Sequence, residues 1–579
     1  MLIGIDLGTT NSVVAYLADD GPQIILNAVG GRLTPSVAAL DPQGKLLVGA
    51  AAKDFQVLQP DRAASLFKRH MGTDWQDVID GRKFAPEELS ALVLRALKED
   101  AEAHFGQPIE RAVITVPAYF NEHQRKATIN AGRIAGLRVE RIVNEPTAAA
   151  MAYGFHELKD DKKLVVLDLG GGTFDVSIVE LFEGVLEVKA SSGENFLGGE
   201  DFTRTLAAKV LARNGESFER AEHESPRRIS RLLQQCERAK CRLTKEESVT
   251  IRVPNRDGAV TESSVEATVT REEFRQWTES LLVRIELPIR RALGDAGLKP
   301  SDVDEVLLVG GATRMPQFIQ RVGELFGKPP QCRLNPDEVV ALGAAVQAGL
   351  IGRNAAVEEM VVTDVAPFTL GVAISREFGT GRRDGYFLPI IHRNTTIPIS
   401  RVERVNTVSP NQTSVSVQIF QGESRHCQDN LSLGEFEVTR IPLGPAGQEI
   451  DLRFTYDLNG VLEVEALVVK TGQKVTHIVT RNAQGLTPRQ IEEAVTRMQT
   501  LKTHPREEAA NRATLQKAER LYQELPPRER GFLDQLLSGF EQALETGDRT
   551  LMEEHREALE SFVSRYDVDP FAGDADGGE

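Results

Sequence analysis

The sequence predicts a multidomain chain: an α/β domain, then an antiparallel β-domain, then a helical segment. Three observations carry this reading. At 579 residues the chain exceeds what one hydrophobic core ordinarily organises. Its texture changes twice, from strands alternating with helical runs up to about residue 356, to period-two strands over about 366 to 480, to amphipathic helical repeats up to about 564. Finally, an acidic residue, a glycine turn and a threonine occur twice, in "GIDLGTTNSVV" (4–14) and again in "DLGGGTFD" (168–175), each followed by a run of strand-forming residues.

In the first texture, "LIGIDLG", "NSVVAYL", "RAVITVP", "KLVVLDLG", "DVSIVEL" and "EVLLVGG" are rich in β-branched residues and read as strands. "PEELSALVLRALKEDAEAHFG", "GEDFTRTLAAKVLARNG" and "RRISRLLQQCERAKCRL" space their apolar residues three and four apart and read as helices. "GRNAAVEEMVVTDVAPFTLG" then holds a short apolar piece bounded by Glu359 and Asp364, which reads equally as a buried strand and as a connector. The second texture contains "TTIPISRVERV", "QTSVSVQIFQG" and "IDLRFTYDLNGVLEVEALV", with "DLNG" as a hairpin turn. In the third, Thr487 is placed to cap a helix beginning at Pro488, Ile491 opens its amphipathic repeat, and breaks fall at "THPREE", "ELPPRER" and "ETGDRT". The acidic, glycine-rich "DVDPFAGDADGGE" is expected to be disordered. The predicted divisions are 1–356 for the α/β domain, 357–366 for a connector, 367–484 for the β-domain, 485–564 for the helices and 565–579 for the tail.

A formal net charge of −17 argues against a general polyanion binder, which would concentrate positive charge against phosphate. The basic stretch "SPRRISR" at 225–231 reads as the solvated end of a helix. The chain opens directly into a strand pattern without a leader, and no apolar run approaches a membrane span. A soluble cytoplasmic protein is therefore expected, with neither nucleic acid nor membrane as a partner. Cys236, Cys241, Cys332 and Cys427 form no metal-site spacing and read as reduced structural thiols.

In both glycine turns an aspartate ends a strand, and the turn that follows exposes successive backbone N–H groups to a phosphate chain. An aspartate beside phosphate would repel it unless a divalent cation lay between them; Mg²⁺ keeps waters that Asp6 and Asp168 can hold. Thr9, Thr10 and Thr173 offer hydroxyls to phosphate or to an attacking water. A third turn, "LLVGGATRMP" (307–316), together with "QQCERAKCRL" would enclose a base and ribose, with Lys240 as donor and Arg314 as stacking surface. Against this, Gly310 and Gly311 serve equally well to pack a strand tightly on a helix. Lys68, in "LFKRHMG", earns no more than a surface role from the sequence by itself.

"GIDLGTTNSVVA", "VITVPAYFNEHQRKAT", "IVNEPTAAAMAYG", "VLDLGGGTFDVSIVE", "FLGGEDF", "CERAK", "LLVGGATRMP" and "NPDEVVALGAAVQA" together resemble the DnaK-type seventy-kilodalton heat-shock chaperone family, over essentially the whole chain. The compact length is similar to the short bacterial HscC-like branch. The resemblance implies an actin-like α/β ATPase domain of two lobes, a linker, a β-sandwich that binds peptides, and an α-helical lid. It implies ATP and ADP as nucleotides, Mg²⁺ with K⁺ as a further cation, unfolded or extended polypeptides as clients, and a J-domain co-chaperone and a nucleotide-exchange factor as partners.

Carried residue by residue, Asp6, Gly8, Thr9, Thr10 and Asn11 match the first phosphate loop, and Asp168, Gly170, Gly171, Gly172, Thr173 and Asp175 the second. Lys68 and Glu145 match the family's catalytic lysine and carboxylate. Gly198, Gly199 and Glu200 fall in the nucleotide cleft, as do Asn335, Pro336 and Asp337. Glu237, Lys240, Thr244, Gly310, Gly311 and Arg314 match the adenosine clamp. Pro117, Arg125 and Asp364 fall where nucleotide state is coupled to the rest of the protein. Phe368, Leu370, Val372, Phe387, Val405, Val408 and Val415 match peptide-cleft positions, where each fully buried large side chain of a client would contribute roughly 1.5 to 3 kcal/mol. For Leu370 and Val372, sandwich core and cleft are balanced readings.

The implied reaction is in-line attack of water on the γ-phosphate, with Lys68, Glu145, Asp168, Thr173 and Asp175 as its catalytic group and hydrolysis as a conformational clock. The chain departs from the family in several places. The connection after "LFKRHMG" is short, which trims the lobe a nucleotide-exchange factor would grip. Phe387 replaces a methionine at the peptide arch. The linker reads Met360-Val361-Val362-Thr363-Asp364 where leucines are usual, so Thr363 brings a hydroxyl into a place where burial penalises it unless bonded. Cys241 and Ala312 alter the adenosine rim. Two other classes remain open from the residues alone: an actin-like metabolite kinase, which leaves 366–564 without a task, and a non-hydrolysing scaffold.

Overall fold

A computed structural model describes residues 1–157, 161–182, 185–353, 357, 361–378, 381–457, 460–478, 488–500, 506–525, 527–546 and 549–566. The strand Leu2–Asp6 turns straight back into Asn11–Ala18 and runs parallel to Arg111–Val116 on its other side. The second copy repeats this arrangement: Lys162–Leu169 returns as Phe174–Phe182 and runs parallel to Glu305–Val309. The repeated motif is thus the visible part of a repeated supersecondary unit. Each unit anchors one sheet, and in each the aspartate stands at the end of the central strand, the edge at which open α/β sheets bind ligands.

Two alanine-rich helices, Glu145–Glu157 and Val339–Gly352, join the lobes. Small side chains let them approach closely; a Cβ on Gly343 would lie 1.7 Å from the Ala148 carbonyl oxygen, so no larger residue fits there. Ala148, Ala152, Ala344 and Ala348 share one buried cluster with strands of the second lobe. The basic stretch at 225–231 is not the solvated helix end that its composition suggests. Arg228 is buried, donating to the Pro254 carbonyl and pairing with Glu216, and buried Arg231 donates to the Gly258 carbonyl; only Arg227 of the three arginines is exposed. Burial is tolerable because each guanidinium finds acceptors.

The β-domain is a sandwich of two four-stranded antiparallel sheets. Alternate residues such as Val417, Ile419, Leu452 and Phe454 point into a common core. The "DLNG" hairpin forms, with Asp457 N–H donating to the Val461 carbonyl at 3.1 Å; Leu458 and Asn459 lie outside the described residues.

Val361–Val365 is strand and connector at once. It runs parallel to Val185–Glu194 at the edge of the second lobe's sheet, and its far end pairs with Thr396–Ile397 of the β-domain. Glu359 and Met360 lie outside the described residues. The Thr363 hydroxyl is buried without a hydrogen-bond partner, the arrangement that the substitution for leucine puts at risk.

The helices after the β-domain differ from a cover over the peptide domain. Pro488–Thr500 packs on Pro86–Phe105 and Glu122–Ile134, and Ile491 and Ala494 join the core of the first lobe. Arg506–Glu524 lies along Ala50–Leu58, with Ala513 against that helix's apolar face and Arg520 paired to Asp54 at 3.2 Å. Pro527–Thr546 and Arg549–Ser564 close a small bundle around Leu533, Phe540 and Leu559. The amphipathic stripe read from Ile491 onward is real, but the surface it covers belongs to the α/β domain. Thr487, the proposed cap, and the tail from residue 567 lie outside the described residues. Among the described residues no helix is long and apolar enough to cross a membrane.

Replacing Thr363 with valine removes an unsatisfied hydroxyl at nearly constant volume, and is expected to tighten docking of the connector strand by about 1 kcal/mol. Amide hydrogen exchange at 361–365 should slow relative to the unaltered chain under the same conditions; equal or faster exchange would show that the hydroxyl costs nothing there.

Candidate functional site

The two glycine turns meet. A Cβ on Gly171 would lie 1.7 Å from Thr10 Oγ1, and one on Gly172 would lie 2.7 Å from Thr9 Oγ1, so side chains are excluded where the loops face each other. In the first loop Ser12 Oγ accepts from Gly8 N–H at 3.2 Å, Ser36 Oγ donates to the Gly8 carbonyl at 2.7 Å, and Asn11 begins the return strand. In the second, Gly170 N–H donates to the Thr173 carbonyl at 3.1 Å. Gly199 and Glu200 N–H then donate to the carbonyls of Gly170 and Gly171 at 2.8 and 3.0 Å, which ties the Gly198–Glu200 turn to the loop.

Around this junction lie Asp6, Asp168, Asp175 and Glu145, with Lys68. Lys68 is 3% exposed and its Nζ lies 2.6 Å from Glu145 Oε1. The surface role that its sequence context suggests is therefore wrong: the short turn Phe67–His70 carries it inward, over the Phe120 ring at 5.6 Å. Thr115 donates to Asp6 Oδ1 at 3.0 Å, and the Tyr119 backbone N–H donates to Asp175 Oδ1 at 3.0 Å. Asp175 Oδ2 is buried with no partner. Burial, then the charge of Glu145, pushes both Asp6 and Asp175 up to about 7, and pushes Asp168 well above the usual carboxylate range. One lysine does not neutralise four carboxyl groups. The cleft is therefore electrostatically incomplete by itself, and an unsatisfied carboxylate oxygen beside crowded carboxyl groups fits a nucleotide brought in with a cation.

The third glycine turn lies beside the second. Gly310 takes φ +82°, and a Cβ there would lie 2.4 Å from the Leu169 carbonyl oxygen and 2.8 Å from Asp168 Oδ1. The same turn thus packs the strand tightly against the end of the second loop's strand and against Asp168. Arg314 donates to Asn335 Oδ1 at 2.8 Å and Asp337 Oδ2 at 3.0 Å, and Asp337 lies so close to Gly311 that a Cβ would meet it at 2.4 Å. Across from these, Lys240 donates to the Gly199 carbonyl at 2.9 Å and pairs with Glu237 at 2.7 Å. Burial raises the Glu237 carboxyl, but Lys240 and Thr203 outweigh it and hold the group below its ordinary range. Thr244 Oγ1 donates to the Cys241 carbonyl at 2.7 Å, closing the end of the helix. Burial pushes the Cys241 thiol up to about 12 and the Glu200 carboxyl up to about 7.

With this geometry in place, comparison with known proteins is decisive. Residues 2–569 match the family described as "Hsp70 protein". The chain belongs to the Hsp70 family. It is 43% identical over 490 residues to "Chaperone protein DnaK" of Thermosipho melanesiensis, an alignment covering 83% of this chain and 80% of that protein. This Hsp70 is accordingly an ATP-dependent chaperone and an ATPase, with the mixed α/β nucleotide-binding region, antiparallel sheets and C-terminal helices of its family.

Beyond the cleft, Pro117 sits in the loop that carries Tyr119, and its carbonyl accepts from Phe120 N–H at 3.1 Å. Buried Arg125 donates to the Phe120 and Ala118 carbonyls and, at 2.5 Å, to Asn144 Oδ1. Asn144 Nδ2 donates to Asp364 Oδ2 at 2.9 Å, and Thr147 Oγ1 donates to the same oxygen at 3.2 Å. Of the positions matched to a peptide cleft, Leu370 and Val372 are 0% and 2% exposed in the sandwich core, and Phe387 is also buried. Val405 and Val415 are half-buried and Val408 is exposed. Phe368 faces the α/β domain, its ring 4.5 Å from that of Tyr119. Residue-by-residue reasoning missed Thr115, Asn144, Thr147 and Thr203, which touch the site's charged groups. Asn144 and Thr147 flank Glu145 and Pro146 inside one quoted motif and Thr115 opens another, so all three were within reach; Thr203, just past "FLGGEDF", carries no local signal.

The raised carboxyls have a thermodynamic consequence. A folded-state value of about 7 for Asp6 and Asp175, against 3.8 for the free side chain, means that their stability contribution is complete below about pH 4 and is lost as pH rises through about 7. The nucleotide-free protein is expected to melt at a lower temperature at about pH 8 than at about pH 6. Asp175→Asn should raise the melting temperature at the higher pH and flatten the difference; an unchanged slope in calorimetry would contradict this.

Proposed function

We propose that this cleft hydrolyses ATP with Lys68, Glu145, Thr173 and Asp175 orienting the attacking water, and that hydrolysis controls peptide affinity through Pro117, Arg125 and Asp364. The observation that carries the reading is the pair of facing phosphate loops beside four carboxyl groups and one lysine. Backbone N–H groups of both loops bind the phosphates. Lys68, fixed by Glu145, offers a charge at the reacting end, and Asp175, fixed through one oxygen by Tyr119, keeps the other free for a proton or a water. Asp6 and Asp168 would hold Mg²⁺ through its waters, and the ion would supply charge neutralisation of the phosphates; K⁺ is a further cation for the same surplus of charge. Glu237, Lys240, Thr244, Gly310, Gly311, Arg314 and Asp337 would enclose the adenosine.

In the arrangement described, the connector strand is docked and Phe368 is engaged by Tyr119. Undocking frees Phe368 for an extended apolar client, alongside Val405, Val408 and Val415, while Leu370 and Val372 support the cleft from the core and Phe387 borders it. Peptide binding and docking then compete for one side chain, which is a physical route to coupling. A J-domain protein and a nucleotide-exchange factor are the partners proposed, the second with reservation for the trimmed lobe after Lys68. The free, unpaired cysteines support the bacterial cytoplasm as the place of action.

The test is release of a fluorescent model peptide with ATP, with ADP and without nucleotide, beside phosphate release. ATP is expected to accelerate peptide release, and Asp168→Ala or Thr173→Ala to lower single-turnover hydrolysis by roughly 10² to 10³. Peptide release indifferent to ATP would remove the coupling; full hydrolysis by both variants would remove the assigned chemistry.

A further inference from the structure

Arg69 follows the buried Lys68 but turns to the opposite lobe. Its Nη2 lies 2.5 Å from Asp201 Oδ2 and its Nη1 3.3 Å from Oδ1, a two-point ion pair between residues of different lobes. Asp201 Oδ2 also accepts from Gly198 N–H at 2.8 Å, and the Gly198–Glu200 turn is bonded to the second phosphate loop. The guanidinium is therefore the first-lobe end of a connected strut that reaches the phosphate loop of the second lobe. Its third nitrogen is different. Nε is buried and donates to nothing, although a buried N–H is costly to leave unpaired.

That N–H faces a defined place. A Cβ on Gly172 would lie 2.5 Å from Thr9 Cγ2, 2.7 Å from Thr9 Oγ1 and 2.9 Å from Arg69 Nε, so Nε lies directly against the contact between the two phosphate loops. Lys68, the residue before Arg69, lies in the cleft with its Nζ on Glu145. We infer that Arg69 senses the terminal phosphate of ATP: Nε–H donates to a phosphoryl oxygen admitted as the Thr9–Gly172 contact parts, while the other two nitrogens hold the second lobe through Asp201. The inference rests on the ATPase reading of this cleft. With ATP the guanidinium is satisfied on both sides and clamps the lobes; with ADP it keeps only the Asp201 side. The two halves of the residue's role are separable.

The experiment measures Mg-ATP and Mg-ADP dissociation constants by competition with a fluorescent nucleotide, on the full chain and its Arg69→Ala, Arg69→Lys and Asp201→Asn variants. Arg69→Ala should weaken ATP at least about tenfold more than ADP, the size of a lost hydrogen bond to a charged group. Asp201→Asn, which keeps the guanidinium but weakens the strut, should shift both nucleotides by a similar factor. Arg69→Lys should repeat the ATP-selective loss, because one ammonium cannot serve phosphate and carboxylate with a fork, and it carries the test if the alanine variant misfolds. Equal losses of ATP and ADP in the Arg69 variants, or an ATP-selective loss in Asp201→Asn, would reduce Arg69 to a strut and overturn the inference. An unaltered chain that binds neither nucleotide would instead remove the ATPase reading, a distinct result that takes this inference with it.

Discussion

Surplus negative charge in a buried cleft is the constraint on which the rest of the structure depends. Asp6 and Glu145 come from the first lobe, Asp168 and Asp175 from the second, and only Lys68 opposes them at short range. Drawn together without a ligand, these groups crowd one another, and the crowding with burial raises the carboxyls of Asp6, Asp168 and Asp175 so that protons relieve part of the charge. What holds the lobes is mechanical: the close-packed helices around Gly343 and Ala148, the contact of Thr10 with Gly171, and the Arg69–Asp201 pair. A ligand that brings compensating cations would change that balance directly, which gives the proposed coupling its physical basis. The duplicated strand-turn-strand unit is what allows this, because it supplies one acid-bearing edge to each lobe.

The loop from Pro117 to Asn121 touches both the cleft and the β-domain. Its Tyr119 contributes a backbone N–H to Asp175 inside the cleft and an aromatic ring to Phe368 outside it. A few residues on, Arg125 reads the same loop through two carbonyls and passes the contact through Asn144 to Asp364 on the connector strand. Glu122 adds two more attachments, its N–H donating to Gln421 and its carboxylate accepting from Tyr456. The distance from the reacting end of the cleft to the sandwich is thus spanned by one loop and one helix start, not by a long relay. Each link is a discrete hydrogen bond that is either made or broken, the kind of element a two-state coupling requires.

The glycine turns, the change to period-two strands and the amphipathic repeat beginning at Ile491 were legible because each is a local pattern within a few residues. Burial was not. Lys68, Arg228 and Arg231 look like surface cations in sequence, and only partners distant along the chain, such as Glu145 for Lys68, explain why they are inside. Leu370 and Val372 were ambiguous for a different reason: core and cleft both ask for apolar residues in alternation, so the pattern is the same whichever face is meant. The amphipathic helix from Pro488 shows the same limit, since its stripe announces that it covers something but not which domain. Thr363 was the most informative single letter, because a hydroxyl among valines predicts either a partner or a penalty, and the structure shows the penalty.

That penalty belongs to a wider pattern at the junction between the domains. Burial raises the carboxyls of Asp364 and Glu122, the latter to about 7, and Gln421 leaves its Nε2 buried without an acceptor beside them. An unpaired buried polar group costs roughly 1 to 3 kcal/mol, as much as a large apolar side chain gains when fully buried. The apolar contribution on this side is modest, with Phe368 against Tyr119 and, farther round, Ile491 and Ala494 against the first lobe. Set against these penalties are bonds made across the junction, among them the Arg393–Asp295 ion pair at 2.7 Å and the Ser191 N–H donating to Asn394 Oδ1 at 3.1 Å. A junction of continuous leucines would bury more apolar surface at no polar cost and hold the docked state more firmly. The sequence at 361–364, together with Gln421, therefore places unpaired polar groups where leucines would bury apolar surface alone.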